Sequence, residues 1–399
     1  MTIPRYLAAL ILVAGLHATA GQAADTPDWN ALTAKLDAEL KAAEARDEFS
    51  GAILLAVGDT VLYTNAFGHA HRGHRVPNRV DTKFNLGSVD KQFTMVAVMR
   101  QVAAGAINLD ATVGTYLPDW PNRDVAESVT VRHLLTHTSG MGFYWTETLF
   151  REIGRFRTLQ DYAGLFVDEP LAFRPGESWA YSNNGYIMLG LILEAVTGES
   201  YHDHIAEIIL RPLDMENTGA FATDAVTPNL ATGYTRLRLS DLLNDFDPEA
   251  EVQDAVWYTN HFTHPARGAS AGGGYSTVED LFDFSRALRG GRLVSPQTHA
   301  LITAPFNADL VGDAARSFYG YGVQIWDPGT PGERFGHSGG GLGNGAMSLY
   351  YPAHDLTVIW LTNQDGAVHV PSPVLKAFLA GPGEEEESRV SAAESPAGL

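Results

Sequence analysis

The 399-residue sequence predicts an α+β fold: an antiparallel sheet flanked by helices, with a second, mainly helical lobe inserted between its strands. Strand-like segments stand at both ends of the chain, and the long stretch between them is helical in pattern and broken by Gly- and Pro-rich loops. Trp29, Leu32, Leu36 and Leu40 recur at helical spacing and predict an amphipathic helix. Gly51 to Val57 and Val61 to Phe67 flank Gly58-Asp59, a hairpin signal with β-formers on both sides. From Phe84 to about Arg292 helices dominate. Phe93 to Val102 is stopped by Gly105 and Tyr186 to Val196 by Gly198, while Thr277 followed by Asp280 opens a helix that runs to Gly290. Tyr321 to Trp326, Gly345 to Tyr351 and Leu356 to Thr362 are again β-rich, with Pro352-Ala353-His354-Asp355 turning between the last pair. Strands from the two ends are expected to meet in one sheet. The expected division is 25–83 with 293–380 for the mixed lobe and 84–292 for the helical one.

The termini carry their own signals. Arg5 precedes an apolar run from Leu7 to Leu16 that is too short to span a bilayer, and small residues follow with cleavage expected after Ala20 or Ala23. Residues 1–24 are therefore expected to be a signal peptide, giving a periplasmic or secreted mature chain with no membrane span. The tail 381–399, with Glu384 to Glu387, is expected to be disordered and acidic. A formal charge of -20 argues against nucleic acid as a partner, because phosphate contacts need clustered Lys and Arg. The absence of cysteine excludes disulfides, thiolate metal sites and a cysteine nucleophile.

Three short motifs carry chemistry. In Ser88-Val89-Asp90-Lys91, at the start of an apolar helical pattern, a spacing of three puts the Lys91 amine within reach of the Ser88 hydroxyl. A serine hydroxyl needs a neighbouring base to become a nucleophile. Lys91 can be that base if burial lowers its pKa, or stay charged and depress the pKa of a second base. Of the lysines in the chain only Lys91 has a serine three residues before it. Tyr181-Ser182-Asn183 follows a Pro-Gly loop, which presents the phenol to a cleft; Asn183 can bind a substrate carbonyl or hold Lys91. Gly336-His337-Ser338-Gly339-Gly340 ends a predicted strand, and its glycines let the backbone approach a ligand and free an amide for an oxyanion.

Phe84-x-x-Gly87-Ser88-x-x-Lys91-x-Phe93-Thr94, Tyr181-x-Asn183 and His337-x-Gly339 together resemble the penicillin-recognising serine hydrolases in order and spacing. The likeness is greatest to class C β-lactamases, D-alanyl-D-alanine carboxypeptidases and β-lactamase-like esterases, and spans roughly Ser50 to Ala380. Val131 to Gly140, Arg211 to Met215 and Gly272 to Thr277 support it. The resemblance implies a β-lactamase/transpeptidase-like architecture with an all-helical lobe and the Ser88 helix between the lobes. It implies that Ser88 attacks a carbonyl, that Lys91 and Tyr181 share the proton transfer, and that Asn183, His337, Gly339 and Gly340 bind substrate, with the Ser88 and Gly340 amides as the oxyanion hole. It implies no cofactor, no metal, and a small-molecule or peptide substrate. The third motif of this family often begins with lysine; His337 stands there instead, which favours an ester or D-amino-acid peptide over a β-lactam.

Other readings leave specific traces. Gly268-Ala269-Ser270-Ala271-Gly272 and Gly336-His337-Ser338-Gly339-Gly340 match Gly-x-Ser-x-Gly, which has meaning only on a strand-turn-helix elbow. His133 with His137, and His69, His71 and His74, are the histidine groups a metal site would draw on. A catalytically silent member of the same fold acting as a binding protein is the alternative of another class.

Overall fold

The computed structural model describes residues 27–238, 256–311 and 315–379. The expected signal peptide and acidic tail lie outside these residues, as does part of the loop between Thr232 and Arg267. The fold is the expected mixture of antiparallel sheet and helices.

Helix α1 (Trp29–Ala45) opens at Asp28, whose side chain accepts from the Ala31 amide, and buries Leu32, Leu36, Leu40 and Ala43 as one stripe. Strands β1 (Gly51–Val57) and β2 (Thr60–Phe67) form the predicted hairpin. They join β3 (Ser317–Tyr319), β4 (Gln324–Trp326), β5 (Arg334–Gly341), β6 (Asn344–Tyr351) and β7 (Leu356–Thr362) in one seven-stranded sheet of order β2-β1-β7-β6-β5-β4-β3. Every pairing is antiparallel, and β1 against β7 closes the two ends of the chain onto each other. The predicted strand from Tyr321 begins only at Gln324, because Gly320 to Val323 form the turn of the β3–β4 hairpin.

The period-two pattern of β1 and β7 divides the interior. Ile53, Leu55, Val358 and Trp360 face a core roofed by α1 and the C-terminal helix α6 (Ser372–Leu379). Ala52, Leu54, Ala56, Ile359 and Leu361 face the larger core that holds the other helices. Each fully buried aliphatic side chain contributes roughly 1.5–3 kcal/mol, so a slip of one residue in either strand would forfeit several such terms at once.

In the larger core, α2 (Lys91–Ala103) is buried from Lys91 to Met99 and α4 (Asn183–Thr197) from Asn183 to Leu193. Helices apolar on every side are central ones, and these two pack on each other. Helix α4 is capped by Ser182 and stopped by Gly198 at φ 71. Helix α3 (Val131–Leu135) packs on α4, and α5 (Val278–Arg289) lies across β1 and β7. Thr277 caps α5 as its sequence predicts, and Phe284 meets Phe93 of α2 edge-on at 4.6 Å. Phe84–Asn85 pairs with Tyr275–Ser276. That short ladder ties the approach to α2 to the Gly272–Gly274 loop and so fixes where Ser88 lies.

Candidate active site

Ser88 is the second residue of a one-turn 3-10 helix, Gly87–Asp90, that leads into α2 and makes Lys91 the first residue of that helix. Gly87 takes φ +48, and a Cβ there would stand 2.6 Å from the Gly340 amide nitrogen. A Cβ on Gly339 would lie 1.9 Å from the Leu86 carbonyl oxygen and 2.9 Å from the Ser88 nitrogen. Strand β5 therefore runs against the backbone around Ser88 as closely as glycine permits, which sets the Gly340 amide against Gly87, next to Ser88 in the chain.

Lys91 is completely buried. Its Nζ lies 2.8 Å from Asn183 Oδ1, 2.6 Å from the Ala271 carbonyl oxygen and 3.1 Å from Ser88 Oγ. Burial drives its pKa well below 10.5, with the neighbouring Asp90 carboxyl pulling the other way. The Asn183 and Ala271 oxygens can only accept, so they consume two N–H bonds. A neutral amine then has its lone pair left for the Ser88 hydroxyl.

Asp90 fixes the carbonyl that Lys91 uses. Its buried carboxylate accepts from the Gly274 amide, and a Cβ on Gly274 would meet that carboxylate at 2.6 Å. Burial pushes Asp90 up to about 7, against the pull of the Gly274 hydrogen bond and the Lys91 charge.

The Tyr181 hydroxyl is buried and makes no well-formed hydrogen bond among the described residues. Burial raises its pKa, and the interaction that draws it back is with Ser88. The phenol is therefore neutral and set against Ser88. Lys91 Nζ stands 4.9 Å from the ring centroid. His337 is 1% exposed and lies behind this group. Its Nδ1 donates to the Ser338 carbonyl at 2.5 Å, so Nε2 accepts from the Tyr319 hydroxyl at 2.8 Å. Burial, with the Lys91 charge, depresses its pKa to about 3.

Ser88, Asn183 and Gly340 line an open cleft, and Lys91 lies beneath its floor. Tyr181, His337 and Gly339 do not line that cleft; Tyr181 reaches Ser88, and the other two support the wall behind it. Ser270 is fully buried in a loop, and Ser338 donates to Gln324 Oε1 from within β5, so neither sits on a strand-turn-helix elbow. His133 belongs to the capping box of α3, and His71 stacks on His74 at 4.4 Å.

His137 is a residue whose place the sequence did not reveal. It adopts φ 59, rare for a side chain other than glycine, and is fully buried. Its carbonyl accepts from the Ala180 amide and its Nδ1 from the Ser182 amide, both at 3.0 Å. It thus clamps the backbone on either side of Tyr181, and its ring stacks on that phenol at 4.2 Å. His137→Ala is expected to lower kcat by about 10–100-fold with little change in KM, because a loosened phenol costs the transition state rather than the ground state. His137→Asn, which keeps an acceptor and tolerates positive φ, is expected to recover part of the loss. Steady-state kinetics of the two variants check this; an unchanged kcat in His137→Ala contradicts it.

The buried neutral histidines also set the pH dependence of stability. His337, held at about 3, and His202 and His264, each pushed to about 4 by burial, gain protons on unfolding as pH falls below 6.5. Stability present above that pH is lost through the window from 6.5 down to about 4. Asp90, raised to about 7, opposes with one proton. His137, fully buried and held well below 6.5, adds to the same loss, so stability falls overall as the pH falls. Urea midpoints are expected to fall between pH 6.5 and 4.5, and a flat or rising series contradicts the neutral assignment.

A sequence profile of the beta-lactamase family matches residues 34–377. Esterase EstB of Burkholderia gladioli is 30% identical over 322 residues, covering 76% of this chain and 79% of the esterase. Penicillin-binding protein 4 of Amycolatopsis lactamdurans is 29% identical over 325 residues, covering 78% and 80% of the two chains. Among solved structures, a penicillin-binding protein from Bacillus halodurans superposes with a TM-score of 0.74 at 29% identity, over 86% of this chain and 98% of its own.

Proposed function

The chain belongs to the beta-lactamase family, and from that membership we propose that it hydrolyses an ester or amide through an acyl-enzyme on Ser88. The observation that carries this reading is the three-way placement of Lys91 Nζ, with two oxygens that can only accept and the third direction toward Ser88 Oγ.

Ser88 Oγ attacks the substrate carbonyl carbon as its proton passes to the Lys91 lone pair. The carbonyl oxygen becomes an oxyanion between the Ser88 and Gly340 amides; losing one such donor costs about 2.7–4 kcal/mol of barrier elsewhere. The tetrahedral species collapses, and the bond to the leaving group breaks. The proton held by Lys91 reaches the leaving atom through Tyr181, the phenol giving one proton as it receives the other, which its raised pKa favours over a standing phenolate. Water then attacks the acyl carbonyl, gives its proton back along the same path, and releases the acid and Ser88. Asn183 holds Lys91 and faces the substrate.

An ester or uncharged amide is favoured over a β-lactam. His337, neutral and bonded to Tyr319, offers no ammonium to a substrate carboxylate. Among the described residues no helix is long and apolar enough to cross a membrane, and the leader read in residues 1–24 supports action in the periplasm or beyond the cell. A fluorophosphonate probe is expected to add one covalent adduct, on the Ser88 peptide. No labelling by this probe or by a labelled penicillin favours the silent binding protein instead.

A further inference from the structure

We infer that the substrate carries no charge near the scissile bond and joins a bulky apolar group to an uncharged, hydrogen-bonding one. This rests on the Ser88 acyl-enzyme and narrows its substrate class: peptides ending in a free carboxylate and amino-acid amides with a free ammonium are both poor substrates.

The cleft wall is the first observation. Trp145, Leu149, Phe150, Tyr162, Phe221 and Leu342 line the same open cleft as Ser88 with aromatic and aliphatic groups, Leu149 and Tyr162 set deep in its wall. Such a wall suits an aryl or branched chain and wastes its area on an acetyl group. The second observation is the chemistry of the polar lining. Asn85, Asn183, Asn344, Thr223 and Thr263 offer amides and hydroxyls, and His264, pushed down to about 4 by burial, is neutral. Among the described residues that line the cleft there is no Lys, Arg, Asp or Glu.

An adjoining space shares Asn85, Thr223, His264, Tyr275 and Asn344 with the cleft and adds Thr232, Asn260, His261 and Asn363. Its described lining is likewise free of Lys, Arg, Asp and Glu, and rich in neutral donors and acceptors. The ionisable groups nearest the chemistry do not alter this. Lys91 is neutral when poised as a base, the Asp90 carboxylate accepts from the Gly274 amide, and His337 is bonded to Tyr319. An ion drawn from water into such a site loses its hydration without gaining a counter-charge, whereas a neutral ester gains apolar contact and neutral hydrogen bonds.

The test compares kcat/KM of the full-length enzyme for p-nitrophenyl 3-phenylpropanoate and for the same acyl chain bearing an α-ammonium or an α-carboxylate. The neutral ester is expected to exceed both charged ones by about 100-fold or more. A charged ester within about threefold of the neutral one overturns the inference. Phe221→Ala is expected to reduce the preference for phenylpropanoate over acetate about tenfold, and Leu342→Lys to raise the carboxylate ester relative to the neutral one. If neither ratio moves, the cleft wall does not read the substrate. Fluorophosphonate titration of Ser88 in each variant counts folded, competent sites. A chain that titrates but prefers charged esters sinks this inference alone, whereas one that never titrates sinks the acyl-enzyme beneath it.

Discussion

Ser88→Ala is expected to lower turnover of any accepted ester by about 10⁴-fold or more while leaving thermal unfolding nearly unchanged. Without the hydroxyl no acyl-enzyme forms, and what survives is the contribution of the Ser88 and Gly340 amides acting on water. The stability side follows from the contacts. Lys91 keeps its bonds to Asn183 and Ala271, and Ser88 gives up its contact with Lys91 at 3.1 Å and its interaction with Tyr181. A change within about 1 kcal/mol is expected from urea or thermal unfolding. Turnover retained in Ser88→Ala, and lost in Ser270→Ala or Ser338→Ala, would move the nucleophile elsewhere.

Lys91→Ala is expected to lower the rate by about 10²–10⁴-fold, the range for a general base, and unlike Ser88→Ala it is expected to destabilise the fold. Truncation leaves Asn183 Oδ1 and the Ala271 carbonyl facing an empty space in the interior. Each orphaned acceptor costs about 1–3 kcal/mol, and the cavity adds to this. The double variant Ser88→Ala/Lys91→Ala is expected to turn over no more slowly than Ser88→Ala, because the two residues act as one unit. Kinetics and urea unfolding of the three variants separate the chemical loss from the structural one. Additive kinetic losses would show that Lys91 works apart from Ser88.

Much of this site was legible as spacing. Ser88 and Lys91 are three apart at a helix start, and helical geometry alone puts amine and hydroxyl together. Asn183, two residues after Tyr181, was expected to bind a substrate carbonyl or hold Lys91, and its Oδ1 lies 2.8 Å from the amine. The meeting of β1 with β7 followed from strand-like segments at both ends that needed partners. What could not be read was contact between distant segments. The Ala271 carbonyl holds Lys91 from 180 residues away because Asp90 pins the Gly274 amide, and neither interaction has a local sequence trace. His337 reads as the end of a strand, and the family resemblance implies that it binds substrate. Only the pairing of β4 with β5 and the turn into β3 bring Tyr319 to its ring. The φ of His137 is likewise set by the packing of Tyr181, Tyr186 and Tyr319 around it, and residue type does not announce it.

The pH dependence of fluorophosphonate labelling at Ser88 tests the buried amine most directly. The labelling rate is expected to climb along a single limb whose midpoint lies well below the ordinary lysine value of 10.5, with the adduct confined to the Ser88 peptide and the limb absent in Lys91→Ala. A limb near the ordinary lysine value, or an adduct on another serine, would contradict the account.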